Sequence, residues 1–365
     1  MTIYWIYSAV FILSMSLVLT TTPFVRHLAL TFNRLDAPSA RKVHQQPVAR
    51  LGGVAIFGAT LASVVGLWSV GALSLLPQES LGTSLLLLWG GVGFFLVGFA
   101  DDLLDLSAFS RLGMQSAISG GLWCYGVRIE SLALPGFSPV DLGWLSLPIT
   151  VLWLAGVVNA INWMDGLDGL ASGISAIAAA VLFGLSVAAH QPETALLGVA
   201  LLGSLIGFLY YNYSPASIFM GDGGSYFIGF MLASLCLVGP QRLDSSVATL
   251  LPLAILAVPL GDMVCVIVAR LYHQQSPFSA DNRHFHHRLL QWGLSHKSAV
   301  WVMYALTLMT SSLTFVWLGF VSGWFVVGEL LLLLSGLTGW LLRTAFLMSG
   351  PDVVGDKVIW FSGNR

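Results

Sequence analysis

The sequence predicts an all-α integral membrane protein that crosses the bilayer many times, on three observations. Of its 365 residues 56% are hydrophobic and only 9% charged, with a mean hydropathy of +0.84. The apolar residues gather into repeated runs of about 20, the length a helix needs to cross hydrocarbon. Those runs are continuous rather than alternating in period two, which excludes the other structure able to satisfy its backbone in lipid, the closed barrel.

In chain order the runs predict about eleven spans, near 3–22, 51–71, 83–100, 112–127, 147–163, 170–188, 195–213, 223–240, 248–269, 299–320 and 324–342, forming a single domain over 1–365. The first lacks a basic leading segment and a cleavage site, so it reads as a retained span. The fourth and fifth are interrupted by Gly and Pro. Orientation follows from the loop cations. With the amino terminus outside, 13 Lys and Arg face the cytoplasm and only Arg128 and Arg242 do not, and the carboxyl terminus is cytoplasmic. Cys124, Cys236 and Cys265 all lie in apolar runs without metal-binding spacing and read as packing residues. A net charge of −2 says little about partners.

That topology brings every unusual polar cluster to one side. Asp101 and Asp102 end the third span. Asn159 to Leu170 (NAINWMDGLDGL) follows the fifth and carries Asn162, Asp165, Gly166, Leu167 and Asp168. Asp222, in FMGDGGS, follows the seventh, and residues 281–288 (DNRHFHHR) follow the ninth. An early loop, residues 41–53, adds Lys42, His44 and Arg50. A carboxylate at membrane depth costs roughly 2.5–3.5 kcal/mol on insertion scales, so such groups point to function. Carboxylates, imidazoles and guanidiniums converging on one membrane face suit a divalent metal and a polyphosphate ligand. Oxygen donors favour Mg²⁺, and Arg and Lys recognise phosphate.

Each cluster also has a plainer reading. Paired aspartates at a helix end can be solvated surface, and Asp222 among glycines can be a turn. The three histidines lack a nearby cysteine or fourth ligand for zinc. Asp262, inside the ninth span, reads as a hydrogen-bonding partner of a neighbouring helix. The agreement of the acidic clusters on one side favours function. Two rival classes fit less well. A transporter of an anionic solute would place its acids at the midplane and show an internal repeat, and a lipid-binding scaffold needs no acids on three loops.

These residues carry a resemblance over nearly the whole chain. Asp101-Asp102, the Asn159–Leu170 motif, YNYSP at 211–215 leading to FMGDGGS at 219–225, and the His-Phe-His-His loop together resemble the polyprenyl-phosphate N-acetylhexosamine-1-phosphate transferases, the superfamily of MraY and WecA. The early Arg-Lys-Val-His and Arg-Leu-Gly-Gly elements, and Phe285 between the histidines, resemble its N-acetylglucosamine-1-phosphate branch. The phospho-N-acetylmuramoyl-pentapeptide transferases of peptidoglycan synthesis, the alternative branch, typically carry three consecutive histidines.

The resemblance implies transfer of N-acetylglucosamine 1-phosphate, or a related N-acetylhexosamine 1-phosphate, from a UDP-sugar to polyprenyl (undecaprenyl) phosphate. UMP is released and the first lipid-linked intermediate of a cell-envelope polysaccharide remains. It implies Mg²⁺, with Mn²⁺ as a substitute, held by Asp222. Asp101 becomes the base or positioning group for the lipid phosphate, with Asp102 behind it and Asp165 and Asp168 alongside. Asn162, Gly166, Leu167 and Asp168 fall at the uridine-contacting motif, Phe219 at a uracil-stacking position and Asn212 at a polar nucleotide contact. His284, His286 and His287 match the diphosphate and sugar loop. Lys42, His44 and Arg111 are expected on substrate phosphate, Arg111 with Gln115 matching the family's Lys-x-x-x-Gln only loosely. A bacterial cytoplasmic membrane with the site facing the cytoplasm is the implied location. Nucleic acid is not an expected partner, and a homodimer is allowed for.

Overall fold

A computed structural model describes residues 2–36, 47–69, 81–133, 136–239, 249–278, 283–348, 352–354 and 357–359. Lys42 and His44 lie outside the described residues. The chain is mostly helical, in the order α1 (Thr2–Thr31), α2 (Gly53–Ser69), α3 (Leu81–Leu104), α4 (Ala108–Cys124), α5 (Ser146–Met164), α6 (Leu170–Ala188), α7 (Pro192–Asn212), α8 (Gly221–Val238), α9 (Leu250–Ile255), α10 (Ala257–Tyr272), α11 (Phe285–Gln291), α12 (His296–Trp317) and α13 (Gly323–Met348).

Among the described residues seven helices are long and apolar enough to cross a membrane, within 3–31, 82–104, 143–164, 170–188, 192–212, 221–238 and 296–317. Two shorter apolar helices cover 53–67 and 323–336. Seven of the eleven expected spans coincide with the long helices, those expected at 51–71 and 324–342 fall on the two shorter ones, and the fourth and ninth take a different course. The fourth, expected at 112–127, is α4, a 17-residue helix that starts at 108. It is capped by Ser107, whose side chain accepts from the Ser110 N–H at 3.1 Å, and it takes in Arg111, which precedes the expected run, and a buried Gln115 inside it. The ninth, expected at 248–269, breaks into α9 and α10 at Leu256. Pro259 has no N–H for the carbonyl of Ile255 four residues before it. Ser311 on α12 donates to that carbonyl instead, at 3.4 Å.

The buried side chains of the described helices form one cluster around α8. From Gly221 to Leu237 every residue of α8 is buried except Asp222, so the one charged group on the most enclosed helix sits at its entrance. α3 and α5 flank α8, and α1 packs on α7 and α2. Aromatic pairs fill the contacts: Phe94 stacks on Phe230 with centroids 4.8 Å apart, and Phe57 meets Phe227 edge-on at 5.3 Å. Some buried hydroxyls bond across helices, as where Thr60 and Ser204 lie 2.9 Å apart.

Small strands tie the loops at one end of the bundle. β1 (Leu35–Asp36) pairs antiparallel with β2 (Val48–Arg50), and β2 runs parallel to β5 (Ile218–Phe219), Arg50 lying in register with Phe219. The early loop is thereby fastened beside the amino terminus of α8. A hairpin of β3 (Ser131–Leu132) and β4 (Val140–Asp141) lies beyond the far end of α4.

Candidate active site

The ends of α3 and α5, the starts of α6 and α8, and strands β2 and β5 meet around Asp222. Its Oδ1 accepts from Asn162 Nδ2 at 2.7 Å and its Oδ2 from Arg50 Nη2 at 2.8 Å. Asp102, projecting from α3, caps α8: the backbone N–H groups of Asp222 and Gly223 donate to its Oδ1 and Oδ2 at 2.9 Å each. This satisfies two donors that a helix start leaves without partners and adds the attraction of a carboxylate to the positive end of the dipole. Arg50 Nε closes the circuit at 3.0 Å from Asp102 Oδ1. Only glycine suits position 221: its φ is +71°, and a Cβ there would stand 2.7 Å from Asp102 Oδ2.

Asp101 is buried and fully engaged. Arg111 Nη1 lies 2.5 Å from its Oδ2, and the Leu106 N–H donates to its Oδ1 at 2.8 Å. Gln115, one turn beyond Arg111 on α4, accepts from Asn159 Nδ2 at 2.8 Å and so fixes α4 to α5. The Arg-x-x-x-Gln pair thus joins both acidic motifs.

Asp165, just past the end of α5, is half-buried. Burial, and next the negative charge of Asp222, push its carboxyl up to about 7, although Arg50 pulls the other way. Four carboxylates (Asp101, Asp102, Asp165 and Asp222) share two guanidiniums (Arg50 and Arg111), and that surplus of negative charge adds to the burial that raises Asp165. Among the described residues no three Asp, Glu, His or Cys side chains close into a ready-made metal cage. Mg²⁺ does not need one, since it usually takes one or two carboxylates and completes its shell with water and substrate phosphate. An all-oxygen donor set with excess negative charge fits such an ion.

Asp168 accepts from the Ala216 N–H through Oδ2 at 3.0 Å, which joins the Asn159–Leu170 motif to the YNYSP turn. Gly166 is exposed and Leu167 buried. Asn212 is almost wholly buried, and both ends of its amide are used: Oδ1 accepts from the Gly169 N–H (3.2 Å) and Ser172 Oγ (2.8 Å), and Nδ2 donates to the Ile218 carbonyl (3.1 Å). The geometry makes it a brace between α6 and β5 rather than a group turned toward a ligand. Phe219 is half-buried beside Arg50.

The histidine loop is held from α10. Asp262 Oδ2 lies 2.6 Å from His284 Nδ1, and its Oδ1 accepts from the Phe285 N–H, also at 2.6 Å. Asp262 therefore has a hydrogen-bonding role toward a neighbouring helix, and that helix is the one bearing the histidines. The rings of His284 and His286 are nearly parallel with centroids 5.6 Å apart, and His287 follows at 4.3 Å from His286. His286 is fully buried, and neither ring nitrogen has a hydrogen-bond partner. A Cβ on Gly166 would come within 2.5 Å of His286 Nε2, so this glycine is what lets the histidine loop close on the Asn159–Leu170 motif. Burial, then the nearby His287 and His284, push the His286 imidazole down to about 3, which keeps it neutral.

Arg50 and Asp262 contact this centre and the histidine loop, and sequence reasoning did not assign either to the site. Both signals were present in part, since Arg50 stands in a basic loop and Asp262 is a lone acid in an apolar run. Neither shows its partner in sequence, because each partner is supplied by a different helix.

Fold and site together define a polytopic membrane protein with an acidic, arginine-clamped centre at one end of its helix bundle. Residues 84–239 match the model of Glycosyl transferase family 4. The probable undecaprenyl-phosphate N-acetylglucosaminyl 1-phosphate transferase of Bacillus subtilis (strain 168) is 35% identical over 295 residues, 80% of either chain. The decaprenyl-phosphate N-acetylglucosaminephosphotransferase of Mycolicibacterium smegmatis is 34% identical over 305 residues, 78% of this chain and 75% of its own. The undecaprenyl-phosphate alpha-N-acetylglucosaminyl 1-phosphate transferase of Escherichia coli (strain K12) is 29% identical over 282 residues, 76% of this chain and 74% of its own. The chain belongs to Glycosyl transferase family 4, within the N-acetylglucosamine-1-phosphate transferase branch of the MraY and WecA superfamily.

Proposed function

We propose that this protein transfers N-acetylglucosamine 1-phosphate from UDP-N-acetylglucosamine to a polyprenyl phosphate. An oxygen of the lipid phosphate attacks the β-phosphorus; the new P–O bond forms as the bond from that phosphorus to the α–β bridging oxygen breaks, and UMP leaves. One phosphoanhydride replaces another, so the protein has mainly to align two anions and offset their repulsion. The observation that carries the reading is the Arg50 bridge between Asp102 and Asp222, with Arg111 on Asp101 beside it.

Asp222 and the neighbouring Asp165 are the groups that would hold Mg²⁺, with Asn162 orienting Asp222. When bound, that ion supplies screening of the phosphate charges. Asp101, with both oxygens engaged, serves better as the group that aims Arg111 at the lipid phosphate than as a free base. Asp168, Gly166 and Phe219 are assigned to the uridine end, and the His284–His287 loop to the diphosphate and sugar. The site faces the cytoplasm, where the loop cations would lie. Release of UMP from UDP-N-acetylglucosamine, required to depend on added undecaprenyl phosphate and Mg²⁺, tests the reading. Turnover confined to another UDP-sugar in a panel would overturn the sugar assignment, and UMP release without lipid acceptor would overturn the reaction.

A further inference from the structure

The opposite end of the same helices encloses a second polar site. α3 starts there at Leu81 and α7 at Pro192, while α6 ends at Ala188 and α8 at Val238. Two positive and two negative helix ends meet, so their dipoles offset one another. Thr83, Ser84, Gln191, Glu193 and Thr194, with Leu87 and Val238, line a small cavity of about 20 Å³. A single water-sized guest needs about 10–15 Å³.

The polar lining is incomplete without a guest. Gln191 is 2% exposed and neither Oε1 nor Nε2 has a hydrogen-bond partner; Glu193 is 3% exposed and its Oε1 has none. Buried polar groups are ordinarily paired, and an unpaired buried carboxylate oxygen is a costly exception. Among the described lining residues there is no Lys, Arg or His to offer a counter-charge.

We propose that this cavity binds one small monovalent cation of sodium type. Its ligands are the Glu193 carboxylate, the Gln191 carbonyl oxygen and the hydroxyls of Thr83, Ser84 and Thr194. Every donor is a hard oxygen, which excludes metals that prefer sulfur or imidazole. One carboxylate balances one positive charge, whereas a divalent ion would leave a surplus charge in a poorly screened interior. Water alone would serve the amide but leave the carboxylate's charge unpaired. The ion ties the starts of α3 and α7 to the end of α8, and the opposite ends of these three helices carry Asp102, Asn212 and Asp222. Its role is thus to brace the helices that place the catalytic network, a property separate from the transfer reaction.

Thermal unfolding of the full chain in detergent, at constant ionic strength, tests this with sodium, potassium or choline chloride. A ligand that binds only the folded state raises Tm saturably. The expected result is a rise of a few degrees in sodium, less in potassium and none in choline. Glu193→Gln should abolish the sodium response while melting in choline no lower than the wild type, because the neutral amide leaves no charge unpaired. Thr83→Val keeps the carboxylate and should shift the sodium midpoint severalfold upward. A wild-type Tm equal in sodium and choline overturns the proposal, as does Glu193→Gln with its sodium response intact. Should Glu193→Gln fail to fold, an unchanged sodium midpoint in Thr83→Val overturns it as well.

Discussion

Arg50 Nη2 lies 2.8 Å from Asp222 Oδ2 while Nε of the same side chain lies 3.0 Å from Asp102 Oδ1, so one guanidinium spans two carboxylates of different helices. The planar fork permits this, whereas a lysine gathers its donors on one nitrogen and cannot reproduce two contacts made from separate nitrogens. Arg50→Lys should therefore keep the charge and lose the alignment. Turnover is expected to fall at least tenfold with the protein still folded, read by UMP release beside a melting curve. Wild-type turnover in Arg50→Lys would remove Arg50 from the catalytic machinery.

Asp222 and Asp102 are neighbours with separable jobs. Asp102 spends both oxygens on the first turn of α8, whereas Asp222 points into the centre. Asp222→Asn retains the shape and removes the side chain's negative charge, so activity should collapse while Tm holds. Asp102→Ala removes a cap worth about 0.5–2 kcal/mol and exposes two orphan donors, so Tm should drop by several degrees. Near wild-type activity of Asp222→Asn at low Mg²⁺ would sink the metal assignment.

The bundle was legible in the sequence to the extent that it depends on apolar runs, and less so where polar groups interrupt them. α5 to α8 match the expected spans closely because each is a continuous apolar run bounded by Gly, Pro, Asn or Asp. α4 departs because Arg111 and Gln115 are used internally, and the ninth span departs because Pro259 costs the helix a hydrogen bond that a distant serine replaces. Of the centre, Asp101, Asp102, Asp165 and Asp222 could be named from their cost at membrane depth. Pairing could not be: the two strand residues that bring Arg50 alongside Phe219, and the Asp262 hold on His284, are long-range contacts with no local signature. Asn212 shows the converse. A polar residue in a functional motif can be wholly occupied in holding the motif's shape.

Nucleotide binding and lipid activation should separate kinetically. Asp168 is joined to the YNYSP turn and is assigned to uridine, whereas Asp101 holds Arg111. Asp168→Asn should raise KM for the UDP-sugar and weaken UMP binding. Asp101→Asn should instead lower kcat with UMP affinity nearly kept, since its effect is exerted in the transition state. Equal loss of UMP binding in both variants would return Asp101 to the nucleotide side.

Orientation can be read by chemistry at two exposed serines. Ser295 caps α12 beside the centre, and Ser131 lies on the hairpin at the other end of the bundle. With Cys124, Cys236 and Cys265 replaced, Ser295→Cys should react with an impermeant reagent only from the cytoplasmic side and Ser131→Cys only from outside. Reaction of both from one side would overturn the span arrangement.

The histidine loop makes a prediction about acid. His286 is buried with its imidazole pushed down to about 3, by burial first and then by its histidine neighbours. In the unfolded chain the same group titrates near its ordinary value of about 6.5. Between those values the unfolded state binds the proton and the folded state does not, so stability rises with pH across that window. The stabilisation associated with neutral His286 is accordingly full above about pH 6.5 and is lost as pH falls toward 3, on the order of a few kcal/mol over the whole range. Asp165, with its carboxyl raised to about 7, has the opposite slope: the folded state holds its proton more tightly, so its contribution declines as pH rises from about 4 to 7. The two partly cancel in the wild type, and His286→Asn should unmask the Asp165 slope. Melting curves between pH 4.5 and 7.5 should therefore show Tm of His286→Asn falling relative to the wild type as pH rises. Parallel Tm profiles for the two proteins would mean that the imidazole is not held neutral against Gly166.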